Sequence, residues 1–154
     1  MNFRMVKGDF ENLDDCVEAL TNSELGMQYF SEKDKAKNAL VEGFEKEEIL
    51  VAIDDSGSCI GFIWYILEGA FHAYPYLHII AIKEEYRGNG IGTKIMEYVE
   101  NILSENYSKC FFVVGDFNFK ARRLYEKIGY RIVGQIPDLY KKGVTENLMM
   151  KLLK

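Results

Sequence analysis

The stretch Leu77–Val99, LHIIAIKEEYRGNGIGTKIMEYV, decides how the rest of the chain is read. Leu77 to Ile82 is an apolar run broken only by His78, which predicts a short strand. After a charged corner, Gly88, Gly90 and Gly92 free the backbone for a tight turn with its N–H groups on one side. Ile91, Ile95, Val99, Ile102 and Leu103 then keep the period of an amphipathic helix packed on a sheet. The N-terminus of such a helix carries unpaired N–H groups and the positive end of the helix dipole, so strand, turn and helix together form a cradle for a phosphate.

Two common phosphate cradles do not fit. The G-x-G-x-G spacing lacks the third glycine of the dinucleotide fingerprint, and no acid stands at a strand end about 20 residues on. A Walker loop needs Gly-Lys-Ser/Thr, whereas Gly92 is followed by Thr93-Lys94.

Before the cradle, Phe3 to Val6 predicts a first strand, and Phe10, Leu13, Val17 and Leu20 recur at helical spacing. Thr21 to Phe30 reads as a loop or broken helix. Ser31-Glu32-Lys33-Asp34 resembles a capping box ahead of the stripe Ala36, Leu40 and Phe44. Ile49 to Ile53 and Cys59 to Leu67, joined by Asp54-Asp55-Ser56-Gly57, read as a hairpin, and Glu68 to Pro75 as a loop. After the cradle, Cys110 to Val114 predicts a buried strand. Asp116 or Asn118 is placed to cap a helix whose inner face carries Ala121, Leu124, Tyr125 and Ile128 and which Gly129 ends. Tyr130 to Ile136 and Thr145 to Leu152 read as two closing strands. The expected fold class is α/β (α+β), a mixed seven-stranded sheet flanked by about four helices, with residues 1–154 as one domain.

Composition narrows the partners. The 154 residues are 48% hydrophobic and 28% charged, as in an ordinary globular protein. Twenty-four acidic residues against 19 Lys plus Arg give a net charge of −5, which argues against nucleic acid or an anionic membrane as main partner. Cys16, Cys59 and Cys110 lack metal-ligand or disulfide spacing, so no metal is expected and a reducing compartment is the natural setting. With no apolar leader and no apolar run long enough to cross a bilayer, a cytoplasmic protein is expected.

Arg87-Gly88-Asn89-Gly90-Ile91-Gly92 resembles the R/Q-x-x-G-x-G/A signature of the GNAT superfamily of acetyl-CoA-dependent N-acetyltransferases, in the same setting between a strand and a helix. Asn118-x-x-Ala121-x-x-Leu124-Tyr125-x-x-x-Gly129-Tyr130 is similar to that family's later helix motif, and with the order of elements the likeness covers essentially the whole chain. The resemblance implies a GNAT fold. It also implies that the backbone of Gly88, Asn89, Gly90, Ile91, Gly92 and Thr93 holds the coenzyme A pyrophosphate, with Arg87 adding charge. Ile80, Ala81 and Ile82 would pair with the pantetheine arm as an added strand would, and Asn118 would contact the same arm.

Acetyl transfer from a thioester to a primary amine needs a neutral amine, donors for the oxyanion and a proton for the thiolate. The family likeness gives Tyr125 the role of general acid. Some members carry a glutamate on the fifth strand, but Phe111-Phe112-Val113-Val114 has no ionisable group, which leaves His78 as the candidate base. Tyr29, Phe30, Tyr74, Tyr76 and Tyr140 are candidate walls of the acceptor pocket. The closing segment DLYKKGVTENLMMKLL resembles the last hairpin of protein N-terminal acetyltransferases, so both a small amine and a peptide α-amine stay open as acceptors. Many relatives pair through their last strands, which puts a homodimer among the implied partners. The competing function is a GNAT-fold module that binds acyl-CoA without transferring the acyl group.

Overall fold

A computed structural model describes residues 1–153. The strands are β1 (Phe3–Lys7), β2 (Ile49–Asp54), β3 (Cys59–Ala70), β4 (Tyr74–Ile82), β5 (Lys109–Gly115), β6 (Arg131–Pro137) and β7 (Thr145–Leu152). The helices are α1 (Leu13–Thr21), α2 (Glu24–Tyr29), α3 (Lys33–Glu45), α4 (Ile91–Leu103) and α5 (Phe119–Lys127), with two 3-10 turns at Phe10–Asn12 and Glu84–Tyr86. The strands form one sheet in the order β1-β2-β3-β4-β5-β7-β6. β1 with β2, β2 with β3, β5 with β7 and β6 with β7 are antiparallel, while β4 runs parallel to β5 with Tyr76 opposite Phe111. The chain divides into two compact units, Met1–Tyr65 with Ile79–Val99, and Ile66–His78 with the chain from Glu100 onward.

Five helices stand where about four were expected, because the segment after α1 closes into α2. Ser23 caps it by accepting the Gly26 N–H at 2.9 Å, and a Cβ on Gly26 would lie 1.7 Å from the Leu20 carbonyl oxygen, so only glycine fits this close approach. The expected capping box of α3 does not form: its N-cap is Glu32, and no side chain caps it. Glu68 to Pro75 is not a loop either. β3 and β4 extend into it and leave residues 71–73 as the connection, with Phe71 and His72 both in the left-handed region at φ 58°. Gly69 and Pro75 look like loop residues in the sequence. Yet Gly69 is where the Ile66 and Tyr76 side chains close in, each 2.9 Å from where a Cβ would stand, and Pro75 is buried within β4.

Helical rows explain two smaller departures. On α4, Ile91, Ile95, Val99 and Leu103 are buried at four-residue steps, whereas Ile102 is 38% exposed and Met96 is buried instead. On α5, Ala121, Tyr125 and Ile128 turn inward, and Leu124 at 42% exposure lies on the rim.

The second unit holds a buried polar knot. Glu100 accepts hydrogen bonds from the Tyr130 hydroxyl at 2.7 Å and Lys151 Nζ at 2.8 Å, and Cys110 Sγ lies 3.3 Å from the same hydroxyl. Burial, followed by Cys110 and Glu100, pushes the Tyr130 hydroxyl far above the usual phenol range. Glu100→Ala strands a buried hydroxyl and a half-buried ammonium, so it should lower unfolding stability by about 2 kcal/mol in a urea titration.

Candidate active site

In the first unit, α1 holds the connection from β4 to α4. Lys83 Nζ pairs with Asp15 Oδ1 at 2.5 Å. The Arg87 guanidinium donates to the carbonyls of Ile82 at 2.9 Å, Asn22 at 3.0 Å and Ala19 at 3.4 Å. Two of these carbonyls are at the C-terminal end of α1, where a cation is favoured. Arg87 thus acts as a clamp that fixes the turn after β4.

The turn depends on its glycines in two different ways. Gly88 at φ 80° and Gly90 at φ 74° occupy the left-handed region, which a side chain strains. Gly92 is inside α4 with ordinary backbone angles, and nothing lies within 4 Å of where its Cβ would be. Packing therefore does not demand a small residue at Gly92. The Lys94 N–H donates to the Gly90 carbonyl at 3.1 Å, so the amides of Ile91, Gly92 and Thr93 come at the very start of the helix, where intrahelical partners are lacking. Asn89 folds back, its amide donating to the Tyr86 and Arg87 carbonyls at 3.0 and 3.3 Å. Ile80, Ala81 and Ile82 end β4, with Ala81 buried and its two neighbours half-buried. Tyr29 and Phe30 are half-buried at the end of α2, in this same unit.

The second unit has two chemically distinct faces. Phe111 packs with Ala70, Met150, Tyr74, Tyr76 and Leu148 on one side of the strands. Alternation along each strand then puts His78 of β4, Gly115 of β5 and Glu146 of β7 on that side too. The His78 ring is centred 5.7 Å from that of Tyr76, and the Tyr76 and Tyr140 hydroxyls are 3.3 Å apart. Phe112 faces the other way, against Tyr125 of α5 at 4.5 Å and Tyr130 at 4.7 Å between ring centres. The candidate base His78 and the candidate acid Tyr125 thus stand on opposite faces of the strands. Asn118 occupies the N-cap position of α5, although its side chain makes no capping hydrogen bond.

Tyr125 is half-buried as a residue, yet its hydroxyl is desolvated, which pushes its pKa up to about 12. An unfolded chain ionises this phenol near pH 10. Its contribution to stability is therefore complete below pH 10 and is lost as pH rises toward 12. Ultraviolet titration of the native protein should find one tyrosine fewer ionising near pH 12 in Tyr125→Phe than in the wild type.

Reading the sequence missed Glu146. It is 1% exposed on β7, between β5 and β6, opposite Gly115 on one side and Ile136 on the other. A Cβ on Gly115 would meet the Phe117 ring first, at 2.3 Å, and then Glu146 Oε2 at 3.0 Å, so the ring and the carboxylate together close over that glycine. Burial first, then Tyr140 and Glu146, holds the Tyr76 hydroxyl far above the usual phenol range. The available signal was TENLMMKL, where an acid alternates with Leu148 and Met150 in a strand with apolar surroundings.

The three cysteines are buried. Cys16 of α1 and Cys59 of β3 meet through their thiols, and that hydrogen bond together with burial holds the Cys16 thiol well above its ordinary range. Burial pushes Cys110 up to about 11. Among the described residues no group of three or more His, Cys, Asp and Glu side chains could hold a metal ion, and no helix is long and apolar enough to cross a membrane.

Residues 17–130 match the model of the acetyltransferase (GNAT) family. The chain belongs to that family. It is 34% identical over 92 residues to an uncharacterized N-acetyltransferase of Methanocaldococcus jannaschii, a match covering 58% of each protein. The chain thus spans little more than half the length of that relative. To an uncharacterized N-acetyltransferase of Archaeoglobus fulgidus it is 31% identical over 129 residues, covering 77% of this chain and 86% of the relative. Its fold superposes with a TM-score of 0.75 on an aminoglycoside 6′-N-acetyltransferase crystallised with coenzyme A, at 18% identity, covering 98% of this chain and 97% of that one.

Proposed function

We propose that the chain is an acetyl-CoA-dependent N-acetyltransferase, with residues 1–154 acting as a single acetyltransferase domain on a primary amine. Family membership supports the class of reaction. The observation that carries the reading is the glycine turn at the mouth of α4, clamped by Arg87 and with open space at Gly92. The amides from Gly88 to Thr93 fit a pyrophosphate there, and the end of β4 offers backbone groups to an extended amide chain. Bound acetyl-CoA supplies the activated acetyl group.

The chain's own residues divide the remaining work by face. Tyr125 approaches from the Phe112 side and donates its proton toward the departing sulfur. The amine approaches from the opposite side, walled by Tyr74, Tyr76, His78 and Tyr140. Direct attack by the amine is favoured over a cysteine-bound intermediate, because all three thiols are buried and those of Cys16 and Cys110 are held protonated. Purified chain supplied with acetyl-CoA and a panel of small amines and peptides should release free thiol only when an acceptor is present. Tight acetyl-CoA binding without thiol release on any acceptor would instead make it an acyl-CoA-binding module.

A further inference from the structure

The buried polar knot of the second unit reaches the candidate acid through one residue. Tyr130 is 3% exposed; its hydroxyl donates to Glu100 Oε2 at 2.7 Å and lies 3.3 Å from Cys110 Sγ. Lys151 Nζ holds the other oxygen of Glu100 at 2.8 Å and lies 5.6 Å from the centre of the Tyr130 ring. Gly129, at φ 106°, turns the chain back after α5, and the Tyr130 N–H donates to the Tyr125 carbonyl at 3.0 Å. The Tyr130 ring then meets the Tyr125 ring edge-on at 6.2 Å, and both pack on Phe112, at 4.7 and 4.5 Å between centres. Burial alone pushes the Tyr125 hydroxyl up, with no hydrogen bond contributing, so packing against Phe112 and Tyr130 sets its place.

We propose that Tyr130 is a positioning residue for acetyl transfer: Glu100 and Cys110 anchor its hydroxyl, and its ring in turn holds Tyr125 in line with the departing sulfur. The proposal rests on the acetyltransferase reading given above, with Tyr125 as its acid. A hydrogen bond that strengthens as charge builds on sulfur depends steeply on distance and angle, and a misplacement of about 1 Å can cost about 10²-fold in rate. A phenol placed by packing is only as steady as the walls it packs on. Phe112 is one wall, carried by β5. Tyr130 is the other, and side-chain hydrogen bonds to Glu100 and Cys110 keep it from rocking. A phenylalanine at residue 130 would fill the same space without burying a hydroxyl against a carboxylate, which is costly. What the bonded hydroxyl adds is a fixed ring orientation.

The test is a double-mutant cycle on kcat, with acetyl-CoA affinity measured alongside, in wild type, Tyr130→Phe, Tyr125→Phe and the double variant. Tyr130→Phe should lower kcat by about tenfold and leave acetyl-CoA affinity within about threefold of wild type. In the Tyr125→Phe background the same substitution should change kcat by less than about twofold, because the hydroxyl that Tyr130 positions is already gone. Glu100→Ala removes the anchor and leaves the Tyr130 ring, so it should repeat that pattern and serves if Tyr130→Phe folds poorly. An equal loss in both backgrounds would assign Tyr130 to folding alone and overturn the positioning role. A kcat within about twofold of wild type in Tyr130→Phe and Glu100→Ala would overturn it too, and an impaired Tyr125→Phe would then leave the acetyltransferase reading intact. A Tyr125→Phe variant that turns over like the wild type, or a wild type that releases no thiol on any acceptor, overturns that reading and this proposal with it.

Discussion

Tyr125→Phe should lower kcat by about 10²- to 10³-fold and leave acetyl-CoA affinity within about threefold of wild type. The ring keeps its packing, since Phe retains the edge contact with Phe112 at 4.5 Å and with Tyr130 at 6.2 Å. Only the hydroxyl is lost. With its pKa pushed up to about 12, that hydroxyl stays protonated at every working pH and is always ready to donate. Complete transfer to a thiolate with a pKa near 8.5 would run uphill by about 5 kcal/mol, so its effect comes as a hydrogen bond that strengthens while charge builds on sulfur. That interaction exists in the transition state and hardly at all in the bound thioester, which is why kcat falls and affinity does not. Unchanged turnover in pre-steady-state thiol release would remove Tyr125 from the chemistry.

Gly92→Val separates the cradle from the fold. Since nothing lies within 4 Å of the missing Cβ and the backbone angles are helical, folding stability should change by less than about 1 kcal/mol. Acetyl-CoA affinity should fall by about 10²-fold or more, because the branched side chain fills the space that the pyrophosphate needs to reach the amides. Gly92→Ala should be far milder, as the signature admits alanine at that position. Calorimetry and thermal denaturation of the two variants provide the check. A valine variant that binds acetyl-CoA normally would move the phosphate site elsewhere.

The fold was legible mainly where periodicity and turn chemistry agreed. Leu77 to Val99 announced strand, turn and helix by residue type alone, and the Asp54 turn closes as its sequence suggests, with Asp54 Oδ1 accepting from Ser56 N–H at 3.0 Å and Ser58 N–H at 2.9 Å. Tertiary packing overrode local signals elsewhere. Gly69 and Pro75 looked like loop residues because their strand role depends on neighbours, the Ile66 and Tyr76 side chains at Gly69 above all. Ser31 and Asp34 had the spacing of a cap and were not used as one, since Glu32 became the N-cap.

At the site, the glycine turn was visible because left-handed backbone leaves a mark in the sequence. The role of Arg87 as a clamp was not, because its partners are backbone carbonyls of Ala19 and Asn22, about 65 residues away. Nor could Glu146 be found by searching β5 for an acid. The β5-β7-β6 order sets Glu146 of β7 opposite Gly115 of β5, and strand order is a property of the assembled sheet.

The most direct measurement is a single turnover with acetyl-CoA labelled in its acetyl group, followed by mass spectrometry of both protein and acceptor. The account predicts label on the amine nitrogen of the acceptor and none on the chain, with or without acceptor. Label retained on a cysteine or another side chain when acceptor is withheld, or no labelled amine across the panel while acetyl-CoA stays bound, would contradict it.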